Sequence, residues 1–109
     1  MSENPRVPIV VLMTAANRAE ATQIAEVLVE SRLAACVQLL PEIQSIYRWK
    51  GEISRDTEVL LLAKTTRDVF SDLDRKVKEL HSYETPEIFA VEAAAISESY
   101  HKWLVDCLT

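Results

Sequence analysis

The stretch that most constrains the fold covers residues 43–64 and contains Gly51, the only glycine among the 109 residues. Because glycine adopts positive φ at little cost, Lys50 and Gly51 predict a tight reversal between two long strands. Tyr47 and Trp49 have the same parity, so they lie on one face of the first arm. A chain of this length cannot cover both arms with its own core. We therefore expect the tip of the hairpin to pack against another copy of the chain.

Composition and charge limit the class of protein. Hydrophobic residues make up 49% of the chain, which is high for a domain whose whole surface faces water. Either the core is large for the length or part of the surface meets a partner. The net charge of −5 argues against nucleic-acid binding, which needs a basic face. The sequence has no signal-peptide pattern and no apolar run near the ~20 residues of a membrane span. Cys36 and Cys107 lack C-x-x-C spacing and predict free thiols, so we expect a cytoplasmic protein without a membrane partner.

Hydrophobic periodicity predicts the order strand, helix, strand, strand, helix, strand and a final helix. Two strand–helix–strand units in this order predict an α+β fold, the ferredoxin-like βαββαβ sandwich, here with an extra C-terminal helix. Its helices pack on one face of an antiparallel sheet. Residues 1–6 predict a disordered N-terminus, and residues 7–109 a single domain. The first predicted strand covers residues 7–14, and the second covers residues 32–40 and resumes over residues 43–50. The third covers residues 52–65 and the fourth residues 88–96, with helices before the second and fourth strands and a last helix from Ser97 or Ser99.

Local signals predict where several elements begin or break. Asn17 with Glu20 three residues later predicts a capping box for the first helix, which should end near residue 31. Thr66 or Asp68 is expected to cap the second helix. Pro41 lacks the amide hydrogen that a strand ladder needs, so it predicts a break or bulge before the hairpin.

The loop over residues 81–87 holds the densest cluster of reactive side chains, including His81. Histidine ligates metals and carboxylates can supply a second ligand, but spacing alone favours a solvated loop, since H-x-x-x-H and C-x-x-C patterns are missing. Met13 is more often a core residue than a thioether ligand. Lys64 either pairs with a carboxylate such as Glu58 or meets an anionic ligand. With one glycine there is no phosphate-binding loop, and no catalytic triad is visible, so the motifs do not predict an enzyme.

Five segments of the chain form a recognisable series, at residues 32–37, 45–52, 58–65, 81–88 and 100–103. In this order they resemble the CutA family of divalent-cation tolerance proteins. The resemblance implies a ferredoxin-like fold and a tight homotrimer, similar in architecture to the PII signalling proteins. It also implies a link to tolerance of copper and other divalent metals and, for animal relatives, to membrane anchoring of acetylcholinesterase.

The copper ligands implied by this resemblance carry over only in part. Some members have a cysteine at the end of the first strand, where this chain has Met13, and a second histidine where it has Leu80. The family motif usually has proline at the position of Ser82. Of that ligand set His81 alone carries over, and Met13 is a soft replacement that suits Cu(I).

A trimer also follows from the predicted sheet, because its two open edges invite pairing with another chain. Head-to-tail pairing of each hairpin with a neighbour's edge closes a ring, and such an obligate interface predicts high resistance to heat. Three lateral clefts are then expected between subunits, close to His81. The expected cleft residues are Trp49, Glu58, Lys64 and Tyr83.

The predicted function is a response to metal ions, with weak binding of copper or another divalent cation at the clefts. We expect no required cofactor and no catalysed reaction. One alternative is a PII-like signalling module that binds a small anionic metabolite, although the long flexible loop of PII proteins is missing from the sequence. The other alternative is a stable trimeric scaffold without a ligand.

Overall fold

A computed structural model describes residues 6–109 of the chain. Its four strands form one antiparallel sheet in the order β2-β3-β1-β4. The order of elements is βαββαβ followed by a helix, so the predicted α+β ferredoxin-like fold is confirmed. The elements are β1 (Pro8–Ala15), α1 (Arg18–Glu30), β2 (Cys36–Trp49), β3 (Glu52–Thr66), a 3-10 turn (Arg67–Val69), α2 (Phe70–Leu80), β4 (Ile88–Glu92) and α3 (Glu98–Cys107).

The main core lies between α1, α2 and one face of the sheet. Odd-numbered residues of β1, such as Val11 and Met13, are at most 3% exposed because their side chains point toward the helices. Leu61 in β3 is fully buried on the same side. The helix predicted after the first strand is confirmed as α1, which buries four residues spaced at i, i+3, i+4 and i+7. They are Ala21, Ile24, Ala25 and Leu28.

The predicted cap of α1 is confirmed. The side chain of Asn17 accepts a hydrogen bond from the amide of Glu20 at 2.9 Å. The Glu20 carboxylate reaches back to the amide of Ala16 at 3.0 Å, one residue earlier than a standard capping box. The expected cap of α2 is wrong, because a 3-10 turn intervenes and puts Val69 at the N-cap position.

Two strand boundaries also differ from the prediction. β2 begins at Cys36 instead of residue 32, because Arg32 adopts a φ of 61° in the turn that ends α1. β4 ends at Glu92 instead of residue 96, because its only neighbour, β1, begins there. The predicted disorder of residues 1–6 falls outside the described residues except at Arg6, whose guanidinium lies 2.8 Å from a carboxylate oxygen of Asp68.

Pro41 marks a bulge in β2, as predicted. The strand register shifts there, so that Pro41 faces Val59 but Ile43 faces Glu58. The extra residue reverses the parity of β2 relative to β3. Beyond the bulge, the odd-numbered residues of β2, including Tyr47, therefore lie on the same face as Glu58.

The sheet has a second, apolar face on the side opposite α1 and α2, which we call the open face. It consists of even-numbered residues of β1, β2 and β3 and odd-numbered residues of β4, which are paired across the strands. Phe89 and Val91 of β4 are 52% and 51% exposed on it. The hairpin turns at Gly51, whose φ is 83°, and the chain measures 52 Å along its longest axis. The open face comprises Val10, Leu12, Leu40, Leu60, Leu62, Phe89 and Val91.

α3 packs separately from the main core. Its Leu104 is 2% exposed and joins Leu108, Ala35 and Val69 in a second buried cluster. Within residues 6–109, every helix falls short of the length or the apolar composition needed to cross a bilayer.

Candidate functional site: an acidic and aromatic pocket

A pocket of about 600 Å³ lies between the hairpin and the loop that follows α2. The hairpin supplies one wall with residues of β2 and β3, and residues 83–87 supply the other. Three aromatic rings line it, those of Tyr47, Trp49 and Tyr83. All the charged side chains in its lining are acidic, namely Asp56, Glu58, Glu84 and Glu87.

Glu58 is the most deeply buried charged group of this pocket. It is 6% exposed, although carboxylates are seldom buried without a partner. Its Oε2 accepts a hydrogen bond from the hydroxyl of Tyr83 at 2.7 Å. Among residues 6–109, no lysine, arginine or histidine forms an ion pair with it. The negative charge of Glu58 is therefore not neutralised by any residue between positions 6 and 109.

The two tyrosines act as neutral hydrogen-bond donors to the carboxylates. Burial, followed by the hydrogen bond to Glu58 and its charge, raises the pKa of Tyr83 well above the usual tyrosine value. Tyr47 donates to Asp56, and this hydrogen bond is the main cause that raises the pKa of Tyr47. Both phenols thus keep their protons over the physiological range and hold the two carboxylates in place.

Glu87 reports the negative potential of the pocket. Its pKa is raised above the ordinary glutamate value by burial and by the charge of Glu58. A raised pKa means that the folded state holds this proton more tightly than the unfolded chain does. An added positive charge in the pocket would relieve the same unfavourable potential.

The Glu87→Gln variant is expected to be more stable than the wild type near neutral pH. The contribution of Glu87 to stability is full below its unfolded pKa, about 4.3, and is lost as pH rises through the raised folded value. The gain at pH 7 should stay below about 1 kcal/mol, because solvent screens an exposed carboxylate. Urea denaturation at pH 4 and pH 7 measures it. The exposed Glu26→Gln change on α1 is the control, and an equal pH response in both variants would contradict the prediction.

His81 links the pocket to the end of β1. Its side chain is fully buried. Nε2 lies 2.7 Å from the carbonyl oxygen of Thr14, and Nδ1 accepts a hydrogen bond from the amide of Tyr83 at 3.1 Å. Because a carbonyl oxygen can only accept, Nε2 carries the proton and Nδ1 is the acceptor. Both ring nitrogens of this neutral imidazole are therefore occupied.

Glu20 holds the same loop from the other side. Its Oε2 accepts a hydrogen bond from the amide of Ser82 at 2.7 Å and lies 4.0 Å from Nδ1 of His81. Burial raises the pKa of Glu20, but the hydrogen bonds from the Ala16 and Ser82 amides outweigh burial and lower it overall. The cap of α1 thus also fixes the start of the loop that carries Tyr83.

The structure brings together three of the four predicted cleft residues. Trp49, Glu58 and Tyr83 all line the pocket. Lys64 lies outside the pocket lining, further along β3, where its Nζ donates to Oε1 of Gln38 at 2.7 Å. The suggested pairing of Lys64 with Glu58 is therefore wrong, because Lys64 lies beside the start of β2 and Glu58 beside the bulge.

Neither of the two predicted metal ligands presents a free donor atom to the pocket. Met13 is 1% exposed in the core, and both nitrogens of His81 are engaged. Within residues 6–109, no three His, Cys, Asp or Glu side chains converge closely enough to hold a metal ion. Copper ligation by His81 and Met13 remains a prediction, and it requires His81 to give up one hydrogen bond.

Sequence reasoning missed three acidic residues of the pocket. Asp56 faces Ser45 across the hairpin, so its position beside Tyr47 depends on the strand register. Glu84 and Glu87 belong to the loop that the sequence singled out, but the pattern did not indicate that they face the hairpin. Of these three positions, only that of Asp56 could have been predicted, by pairing the residues of the two hairpin arms about Gly51.

The model of the CutA1 divalent ion tolerance protein family matches residues 9–107 of the chain. The chain belongs to this family. The match covers all of the secondary structure except the first residue of β1, so the predicted resemblance to CutA proteins is confirmed.

Known CutA proteins agree with this assignment in sequence and in structure. The divalent-cation tolerance protein CutA of Thermus thermophilus is 50% identical over 95 residues, which are 87% of this chain and 92% of the relative. Chloroplastic CutA of Arabidopsis thaliana is 38% identical over 88% of this chain, which spans only 53% of that longer relative. The periplasmic divalent cation tolerance protein CutA of Archaeoglobus fulgidus superposes with a TM-score of 0.91 at 33% identity, over 94% of this chain and 99% of that one.

The names of these CutA relatives describe tolerance of divalent cations, not a catalysed reaction. They place the relatives in more than one compartment, since one is chloroplastic and another periplasmic. The cytoplasmic location and the lack of catalytic activity therefore remain predictions for this chain.

Proposed function

We propose that this CutA protein acts in divalent-cation tolerance by binding divalent cations weakly in the acidic pocket. The observation that carries the proposal is the buried carboxylate of Glu58, which has a hydrogen bond from a neutral phenol but no positive partner among residues 6–109. A buried charge is costly unless it is paired. A cation at this point would neutralise Glu58 and lower the repulsion that Glu87 experiences.

The arrangement of the ligands supports weak instead of tight binding. Asp56 and Glu58 are on β3, and Glu84 and Glu87 are on the loop, so the four carboxylates approach the pocket from two sides. An ion that meets one or two of them at a time keeps most of its water, which is how Mg²⁺-like ions commonly bind. Copper held by His81 and Met13 is the softer alternative within the same proposal.

The anion-binding alternative has no support from the pocket. A small anionic metabolite needs lysine, arginine or backbone amides around it, whereas the charged groups of the lining are carboxylates. Lys64, the lysine expected to serve that role, donates to Gln38. The ligand-free scaffold is the outcome that remains if no cation binds.

We further propose that the chain works as a homotrimer that closes over its open faces. Apolar patches of this kind on a soluble protein mark contact surfaces. Phe89, Val91 and Leu40 are between 44% and 52% exposed, so covering them with another subunit would remove apolar surface from water. The free edges of β2 and β4 can pair with neighbouring subunits, and three-fold closure leaves no edge unpaired.

Titration calorimetry with Mn²⁺, Zn²⁺ and Cu²⁺ tests the cation proposal. The wild type should give saturable heat with a dissociation constant in the micromolar to millimolar range, and Glu58→Gln should weaken binding about tenfold, since it removes a charge at nearly constant shape. Glu26→Gln, which removes an exposed charge from α1, should bind like the wild type. Equal affinity in all three proteins would show that the ions bind elsewhere.

A further inference from the structure

The pocket is larger and more aromatic than a metal site requires. Its volume of about 600 Å³ falls in the range of small-molecule pockets, about 300–1,000 Å³. A metal ion needs several oxygen or nitrogen ligands within about 2.0–2.6 Å, and three such side chains do not converge within residues 6–109. The three aromatic rings of the lining have no role in holding an inorganic ion.

The aromatic rings suit an organic cation instead. Ring faces attract ammonium groups through their quadrupole, and tryptophan does so most strongly. Trp49 already shows this behaviour, because Nζ of Lys50 lies 5.8 Å from the centre of its ring. The hydroxyls of Tyr47 and Tyr83 are bound to carboxylates, so these side chains join the aromatic and acidic parts of the lining.

The acidic groups are placed for two positive charges some distance apart. Asp56 and Glu58 lie on the hairpin wall, and Glu84 and Glu87 lie on the loop wall. Glu58 is only 6% exposed, and it has a hydrogen bond from Tyr83 but no positively charged partner among residues 6–109. A ligand with an ammonium group at each end can meet both walls at once.

We propose that the pocket binds a small aliphatic diamine, with its ammonium groups at the carboxylates of the two walls and its methylene chain against the aromatic rings. This assignment rests on the proposed cation-binding pocket and names the class of cation that fits it best. The rings shelter the methylene groups from water, which a metal ion cannot exploit.

Calorimetry at low ionic strength with three probes that share a four-carbon chain tests the assignment. The probes are 1,4-diaminobutane, butylamine and 1,4-butanediol, which carry two, one and no positive charges at neutral pH. The diamine should give saturable binding, butylamine should bind about tenfold more weakly, and the diol should give no heat. Glu58→Gln and Trp49→Leu should each weaken diamine binding about tenfold, and Glu26→Gln should not change it. Far-ultraviolet circular dichroism and sedimentation should first show that each variant keeps the wild-type fold and assembly.

The outcomes separate this assignment from the broader function. Equal binding of butylamine and the diamine, or unchanged affinity in both pocket variants, would overturn the diamine assignment. If Mn²⁺ binds and depends on Glu58 but the diamine does not bind, the assignment falls and the metal function stands. If neither binds, both fail. Competition between Mn²⁺ and the diamine in the wild type would support both proposals at one site.

Discussion

The Leu62→Arg variant is expected to convert the proposed homotrimer into monomers. Leu62 lies at the centre of the open face, paired with Leu12 on β1 and Gln38 on β2. In the proposed trimer the introduced guanidinium would be buried without a partner, which costs several kcal/mol in each subunit. Sedimentation should then report a species of 12.3 kDa, the mass of one chain, whereas the wild type is expected to sediment with the mass of three chains. The free energy of unfolding should fall by on the order of 5 kcal/mol, because assembly no longer contributes to stability.

Val29→Arg is the matched control for this experiment. Val29 is an apolar residue that is 44% exposed on α1, on the opposite side of the sheet from the open face. It receives the same substitution in a position that we expect to stay in water. The control should remain trimeric and lose little stability. A monomeric wild type, or a trimeric Leu62→Arg variant, would contradict the proposed assembly.

The His81→Ala variant is expected to lose about 3 kcal/mol of stability. The change removes a fully buried ring and leaves the carbonyl of Thr14 and the amide of Tyr83 without their partners. Lost packing together with two unsatisfied polar groups accounts for a cost of about 2–5 kcal/mol. Guanidinium denaturation of the two proteins at one concentration measures the difference.

The other histidine of the chain provides the control. Nε2 of His101 also contacts a backbone carbonyl, that of Arg6, at 2.8 Å, but this is the single hydrogen bond of its side chain within residues 6–109. His101→Ala should therefore cost only about 1 kcal/mol.

His81→Ala should also weaken cation binding, because Tyr83 loses the contact that holds its hydroxyl against Glu58. Wild-type stability of His81→Ala would rule out the linking role of this residue.

The sequence determined the order of the elements and several of their boundaries. A nearly unbroken apolar run predicted β1, and apolar periodicity with Asn17 at its start predicted α1. Gly51 predicted the hairpin turn and Pro41 the bulge. These features depend on local backbone preferences and on which side of an element is apolar, and both are written in neighbouring residues. The same holds for the CutA resemblance, since its segments are short and contiguous.

The tertiary structure decided what the polar side chains contact. The sequence around His81 does not indicate that Thr14 would contact one of its ring nitrogens, because Thr14 is 67 residues away. Lys64 and Glu58 are six positions apart on one strand, yet the first meets Gln38 and the second meets Tyr83. Hydrogen bonds between distant segments depend on strand register, and one extra residue at a bulge changes every partner beyond it. Periodicity can therefore predict the fold of this chain, whereas its pocket exists only after the loop and the hairpin have come together.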